Sequence, residues 1–132
     1  MLSTETPART ELGRFFEVSA RQFATEQPTP KMFSAAVDAE WHRFLNDPGY
    51  AEFCAQHAGQ LVGHVEAKGV GKISWVGAYE EMFGPLPEVW FTDADGVLDE
   101  QALARYRESG EVRAEWDCTP LPGGEVVPSV AG

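Results

Sequence analysis

The sequence has few cysteines, few basic residues and no long apolar run. Two cysteines among 132 residues are too few for the disulfide framework of a small secreted domain. No stretch approaches the ~20 consecutive apolar residues that a membrane-spanning helix needs. The N-terminal segment MLSTETPARTEL has no apolar stretch typical of a signal peptide. We therefore expect a cytoplasmic protein without a membrane partner.

The shortage of basic residues gives the chain a strong negative charge. Ten Lys and Arg face 21 Asp and Glu, for a net charge of −11. The imbalance is concentrated in residues 77–132, which hold 12 acidic and 3 basic side chains. Because an acidic surface repels phosphate backbones, nucleic acid is excluded as an expected partner. A protein partner fits this charge better.

Aromatic residues are plentiful, and their spacing indicates helices. Phe, Trp and Tyr make up 11% of the chain, and aromatic side chains contribute strongly to the burial that stabilises a core. Apolar residues recur three and four positions apart, as on one face of a helix. The pattern predicts a single compact, mainly α domain with about five helices and at most a small two- or three-stranded β element. The predicted helices span residues 7–25, 30–46, 48–58, 74–83 and 99–109.

Turn signals and weak alternation define the remaining segments. We expect a frayed N-terminus at 1–8, one helical domain at 9–118 and a flexible Pro- and Gly-rich tail at 119–132. Thr29 and Pro30 predict the start of the second helix, Gly59 the end of the third, and Asp99 the cap of the fifth. The other predicted features are a strand or connector at 60–66, a flexible loop at Gly69, Gly71 and Lys72, a Ser74 helix cap, an extended segment at 87–91, a turn at 93–96 and an edge strand at 111–117.

The reactive side chains concentrate in one part of the chain. His42, Cys54, His57 and His64 fall within 23 residues of one another, and Asp38 precedes His42 by one helical turn. Imidazole, thiolate and carboxylate are ligands of zinc and iron sites. The pattern predicts a metal site formed by Asp38, His42, Cys54 and His64. The alternative is that Cys54 is a core residue and the histidines satisfy local hydrogen bonds.

A second candidate site lies in the acidic turn. Asp93 and Asp95, two residues apart after Phe91-Thr92, look like the first motif of haloacid-dehalogenase-type phosphotransferases. In that motif one Asp is the nucleophile and the other the acid–base. Only 33 residues follow Asp99, too few for the remaining strands of such an enzyme. A hydrolase or phosphatase is therefore the weakest of the hypotheses.

Two blocks of the sequence carry a recognisable pattern: Val37-Asp38-x-x-Trp41-His42 with Tyr50-x-x-Phe53-Cys54, Gly59 and His64, and then Tyr79-x-x-x-Phe83-Gly84-x-x-Pro87-x-x-Trp90. These blocks resemble the signature of the glycine-rich domain-containing protein-like family. The resemblance covers residues 34–91 and implies a compact helical domain without implying a reaction. One departure is Gly63-His64, where the family tends to carry a His-His pair. Another is the single Cys118, where some short members have a Cys-rich C-terminus. The implied signature cluster is Asp38, Trp41, His42, Cys54 and His64, and the further matching positions are Val37, Tyr50, Phe53, Gly59, Tyr79, Phe83, Gly84, Pro87 and Trp90.

These observations favour three functions in decreasing order. The first is a non-enzymatic binding or accessory protein. It would bind a partner protein through its acidic half or through Trp75, Trp90 or Trp116. The second is a small zinc- or iron-binding protein. The third is the hydrolase. Catalysis is thus the less favoured class.

Overall fold

The computed structural model describes residues 6–26 and 29–122. Within these ranges the chain forms five α-helices, one 3₁₀ helix and a two-stranded antiparallel sheet. This architecture confirms the predicted mainly helical fold with a small β element. The elements in chain order are α1 (Pro7–Ala24), α2 (Ala35–Leu45), α3 (Tyr50–Ala58), β1 (Val62–Lys72), α4 (Val76–Phe83), the 3₁₀ helix (Glu88–Phe91), α5 (Glu100–Ser109) and β2 (Arg113–Pro122).

Several helix ends follow directly from local residue chemistry. The Asp99 carboxylate accepts the backbone N–H of Ala102 at 3.0 Å and caps α5, as predicted. Gly59 ends α3 with a φ of +72°, a left-handed conformation that favours glycine. At the start of α1, Thr6 accepts the backbone N–H of Arg9 at 3.1 Å. Capping thus defines these ends without tertiary contacts.

The start of α2 differs from the prediction. The helix begins at Ala35, after a Ser34 side chain that accepts the backbone N–H of Val37 at 3.2 Å. The predicted cap at Thr29 and Pro30 is wrong. The reason is tertiary, because the backbone N–H of Met32 donates to the Cys118 carbonyl at 3.0 Å. That pairing holds the preceding segment against β2.

The predicted glycine loop is part of a strand. Gly69, Gly71 and Lys72 lie in β1, which pairs with β2 on both sides of an irregularity between Glu66 and Gly69. At Gly69 an added Cβ would lie 2.6 Å from the Trp116 ring. Glycine therefore permits this close approach, and the loop prediction is wrong.

Four other boundaries shift. Residues 119–122, predicted as tail, belong to β2, and the predicted extended segment 87–91 contains the 3₁₀ helix. No side-chain hydrogen bond caps α4, which Trp75 precedes, so Ser74 does not cap it. α1 begins at Pro7, as its spacing predicts, so residues 7 and 8 are helical although the frayed segment was predicted to extend to residue 8. The predicted ends at 1–5 and 123–132 lie outside the described residues.

The core is built from aromatic rings around α1. The Phe15 ring contacts the rings of Trp41, Trp75 and Trp90 at centroid distances of 5.8, 5.2 and 6.0 Å. All four side chains are buried. Truncating a buried aromatic of this kind to Ala costs about 3–5 kcal/mol. This packing holds the inner face of α2 against α1.

A buried hydrogen-bond chain links α2, α3 and β1. The Trp41 indole N–H donates to the Tyr50 hydroxyl at 3.0 Å, and that hydroxyl donates to the Val62 carbonyl at 2.7 Å. Burial raises the pKa of the Tyr50 phenol, which keeps it a neutral donor. Val62 lies two residues before His64. These hydrogen bonds therefore fix the position of β1, and of His64, relative to α2.

Candidate metal centre

Helix α2 presents two polar side chains on one face. Asp38 and His42 are four residues apart, so they lie one above the other on the helix surface. His42 Nδ1 lies 3.5 Å from Asp38 Oδ2. The Asp38 side chain is 17% exposed and that of His42 51%. The helix therefore offers one partly buried carboxylate and one accessible imidazole.

Strand β1 brings a second imidazole to the same place. The His64 ring packs edge-on against Trp41 and against His42, with centroid distances of 4.5 and 4.6 Å. Its Nε2 lies 3.8 Å from Asp38 Oδ1. The His64 side chain is 12% exposed, so packing on Trp41 orients the ring toward the carboxylate.

Strand β2 contributes the thiol. The antiparallel register pairs His64 with Pro120 and Glu66 with Cys118. His64 and Cys118 are therefore diagonal neighbours on one face of the sheet. Cys118 Sγ lies 3.9 Å from His42 Nε2. One potential ligand atom each from Asp38, His42, His64 and Cys118 falls within 4.8 Å of the others.

Two buried atoms of this cluster lack hydrogen bonds. Asp38 Oδ1 and His64 Nε2 are inaccessible to solvent, and neither has a hydrogen-bond partner among the described residues. An unsatisfied buried polar atom costs about 1–3 kcal/mol. Native proteins leave few such atoms, and a bound ion is one explanation for those that remain. A cation between the two atoms would satisfy both.

The protonation state of the Cys118 thiol would also change if a cation were bound. Burial raises the pKa of the Cys118 thiol, and the Asp38 carboxylate beside it raises that pKa further. Without a positive charge the thiol therefore stays protonated. A divalent cation reverses this balance, because a coordinating thiol is deprotonated by the metal.

Cys54, the predicted thiol ligand, is not part of the cluster. It is fully buried on α3 among core residues. Burial raises the pKa of its thiol, against the opposing effect of hydrogen bonds from the Val62 backbone and the Tyr50 side chain. The structure thus brings together Asp38, His42 and His64 as predicted and substitutes Cys118 for Cys54. The signal that could have found Cys118 is strand pairing, since residues 111–117 were already expected to form a strand.

The cluster opens to solvent through a cavity of about 400 Å³. Glu66, Lys68 and Asp117 line its mouth beside the four candidate ligands. The half-exposed His42 ring lies on the solvent side. The cavity therefore brings solvent next to the four candidate ligands, although Asp38 Oδ1 and His64 Nε2 themselves are covered.

The three tryptophans predicted to meet a partner are engaged in packing. Trp75 is 0% and Trp90 1% exposed, so neither can contact a partner. Their indole N–H groups donate to the Lys31 carbonyl at 2.8 Å and to Glu11 Oε1 at 2.9 Å. Trp116 is half-buried and covers Gly69. This correction removes two of the three aromatic contacts proposed from the sequence.

The acidic turn is present as predicted but has a structural role. Asp93 Oδ1 accepts the backbone N–H groups of Asp95 and Val97, both at 2.9 Å. Within the described ranges the strands are antiparallel, whereas the phosphotransferase motif follows a parallel strand. The arrangement therefore offers no support for catalysis by Asp93 and Asp95.

None of the helices in the described ranges combines the length and apolarity needed to cross a bilayer. Comparison with protein-family models, curated proteins and solved structures finds no match to this chain. Membership of the glycine-rich domain-containing protein-like family stays a prediction. So does the binding of a partner protein through the acidic half of the chain.

Proposed function

We propose that this protein binds a single transition-metal ion, most suitably zinc, through Asp38, His42, His64 and Cys118. The observation that carries the proposal is the pair of buried, unbonded atoms Asp38 Oδ1 and His64 Nε2, which face each other across 3.8 Å. That gap is too long for a hydrogen bond. It is suitable for two ligands of one ion.

Two of the donor-atom separations are close to those of a tetrahedral zinc site, and all four donor atoms lie within 4.8 Å of one another. Zinc bonds of about 2.0–2.3 Å place neighbouring ligand atoms about 3.3–3.8 Å apart. The separations of 3.8 Å between Asp38 Oδ1 and His64 Nε2 and of 3.9 Å between Cys118 Sγ and His42 Nε2 lie close to that range. His42 Nδ1 then faces Asp38 Oδ2, so the same carboxylate can orient the ring.

The composition of the site favours binding over catalysis. One carboxylate, two imidazoles and one thiolate fill the four positions that zinc takes in closed, structural sites. The carboxylate and thiolate also balance the charge of a divalent ion. This supports a non-enzymatic metal-binding protein. Iron is the second candidate because it accepts the same imidazole and carboxylate donors, and metal analysis distinguishes the two.

The test is the metal content of untagged protein after reconstitution with zinc, measured by elemental analysis. We expect about one equivalent in the native sequence. Cys118→Ser and His64→Ala should each reduce it to a small fraction, because each removes one of four ligands. Substitution by cobalt should add a thiolate-to-cobalt charge-transfer band that Cys118→Ser abolishes.

Cys54→Ser is the matched control, because it changes the other buried thiol of the chain by the same atom. It should retain the full equivalent of metal and the cobalt band. Loss of metal in Cys54→Ser with retention in Cys118→Ser would contradict the proposed ligand set. Failure of the native protein to hold zinc, cobalt or iron would refute the proposed function.

A further inference from the structure

A second cavity lies far along the sheet from the metal cluster. It has a volume of about 460 Å³ and lies between α5, the acidic turn and the start of β2. We call it the α5 cavity. None of the four candidate metal ligands lines it. Its volume is in the range of small-molecule sites, about 300–1,000 Å³.

The floor and one wall of the α5 cavity are apolar. Phe33 is half-buried, and Val97 and Leu98 from the turn line one side. Trp90 and Phe91 also belong to the lining but are nearly buried, so they offer a ligand little surface. The Val97 side chain is 62% exposed, so nothing in the described part of the chain covers it. An apolar ligand body would bury these surfaces, which stabilises binding by about 25 cal/mol per Å² of apolar area.

The acidic groups around the cavity are already engaged. Asp93 accepts two backbone N–H groups of its own turn, and Asp99 caps α5. Glu111 Oε2 lies 3.3 Å from Lys72 Nζ in an ion pair. These partners compensate part of the negative charge of the three carboxylates, which reduces their repulsion of an anionic ligand.

The two arginines of the cavity are free of such partners. Arg105 lies on α5 and Arg113 at the start of β2, on different walls. Within residues 6–26 and 29–122, neither guanidinium makes a hydrogen bond or an ion pair. Guanidinium groups bind carboxylates through paired hydrogen bonds. Both arginines are exposed, and Arg107 of the same helix also makes no ion pair within the described residues. What distinguishes Arg105 and Arg113 is that they line the same cavity.

From this combination we propose that the α5 cavity binds a small organic anion with an apolar body, of the class of medium-chain carboxylates. The aliphatic or aromatic part lies against Phe33, Val97 and Leu98, which are the more exposed apolar residues of the lining. The carboxylate lies at the mouth, between Arg105 and Arg113. The proposal is independent of metal binding, because the two sites share no residue.

The test is calorimetric titration of the full chain with octanoate, octan-1-ol and octylammonium, which share one apolar body and differ in charge. Octanoate should bind most tightly, and raising the salt concentration should weaken octanoate more than octan-1-ol. Equal affinity for octanoate and octan-1-ol, or preference for octylammonium, would overturn the proposal. All titrations are run with and without a chelator, so that failure here is separate from failure of the metal site.

Charge variants test the role of the arginines. Arg105→Gln with Arg113→Gln should lower octanoate affinity about tenfold and leave octan-1-ol unchanged, since each exposed ion pair contributes up to about fivefold. Arg107→Gln is the matched control, because it lies on the same helix and does not line the cavity. An equal loss of octanoate affinity in Arg107→Gln would assign the effect to general charge and overturn the proposal.

Volume variants test the location. Ala102 lines the cavity and Ala104 does not, so Ala102→Phe should abolish octanoate binding while Ala104→Phe preserves it. Two other occupants would also overturn the proposal. One is a second copy of the chain, shown by a dimer that Ala102→Phe dissociates. The other is the segment 123–132. It would be indicated if octanoate fails to bind the native chain while Ala102→Phe shifts the amide resonances of that segment.

Discussion

At the scale of single residues, Glu40 is the most fully paired buried carboxylate of α2. The residue is 6% exposed. Its two oxygens lie 2.6 Å from Arg9 Nε and 2.7 Å from Arg43. Burial acts to raise the pKa of the Glu40 carboxyl, but the hydrogen bonds and charges of Arg43 and Arg9 outweigh it, so the pKa lies below its usual value. Arg9 belongs to α1, so this pair ties α1 to α2.

The lowered pKa of Glu40 predicts acid sensitivity. Its contribution to stability is complete above the ordinary carboxyl pKa of about 4.5 and is lost as the pH falls through the lower, folded-state pKa. Glu40→Gln should lower the free energy of unfolding by about 1–2 kcal/mol at neutral pH. The difference from the native protein should shrink below pH ~4.5. Urea unfolding at a series of pH values measures it.

The control for this prediction is Glu52→Gln, a change at an exposed glutamate on α3. It should alter the unfolding free energy by less than about 0.5 kcal/mol at any pH. A Glu40→Gln difference that persists undiminished to low pH would show that the carboxylate charge is not the stabilising feature.

At the scale of elements, a glycine of α1 lies in contact with a side chain of α3. The His57 ring of α3 lies over Gly13 of α1, where an added Cβ would be 2.8 Å from the ring. His57 Nδ1 also lies 2.8 Å from Glu17 Oε2, on the next turn of α1. Gly13 has a low helix propensity and so lowers the stability of α1. Its missing side chain, however, leaves room for the His57 ring of α3.

Two glycine-to-alanine changes separate propensity from packing. Gly77, in α4, has no atom within 4 Å of an added Cβ, so Gly77→Ala should stabilise the protein by about 0.5–1 kcal/mol. Gly13→Ala gains the same propensity but displaces the His57 ring, so it should destabilise by about 1–3 kcal/mol. Thermal unfolding of both variants measures the difference. Equal stabilisation by both would mean that the α1–α3 contact adapts freely.

At the scale of the whole molecule, the candidate metal site is built from three separate elements, of which β2 is the most distant in sequence. Asp38 and His42 come from α2, His64 from β1 and Cys118 from β2. An unfolded chain does not hold these groups together, so the proposed ion would bind the folded state. Metal binding would then add to the free energy of folding.

Zinc should accordingly stabilise the entire fold. At a free zinc concentration one hundred times the dissociation constant, the free energy of unfolding should rise by about 2.7 kcal/mol. Amide exchange in β2 should slow on zinc addition and recover with a chelator. Cys118→Ser should show neither change, whereas Cys54→Ser should show both. Equal stability of the zinc-loaded and chelated native protein would argue against a site that spans these elements.

Much of the helical architecture could be predicted from the sequence. The aromatic stripes, the Asp99 cap and the Gly59 stop depend on residues within a few positions of one another. Local signals failed where a distant strand intervened. Met32 pairs with Cys118, so α2 begins later than predicted. Gly69 lies in a strand because β1 pairs with β2, where the Trp116 ring packs against it.

The sequence by itself determined the helices and the acidic character. It also indicated three of the four clustered side chains, because Asp38 and His42 share a helix face and His64 follows within 22 residues. The tertiary structure alone decided which thiol joins them. Cys54 is nearer in sequence to the histidines but packs into the core. Cys118 lies beside them because the register of β2 on β1 pairs it with Glu66. Periodicity and capping are local properties of the backbone, while strand register depends on contacts between residues that the sequence places far apart.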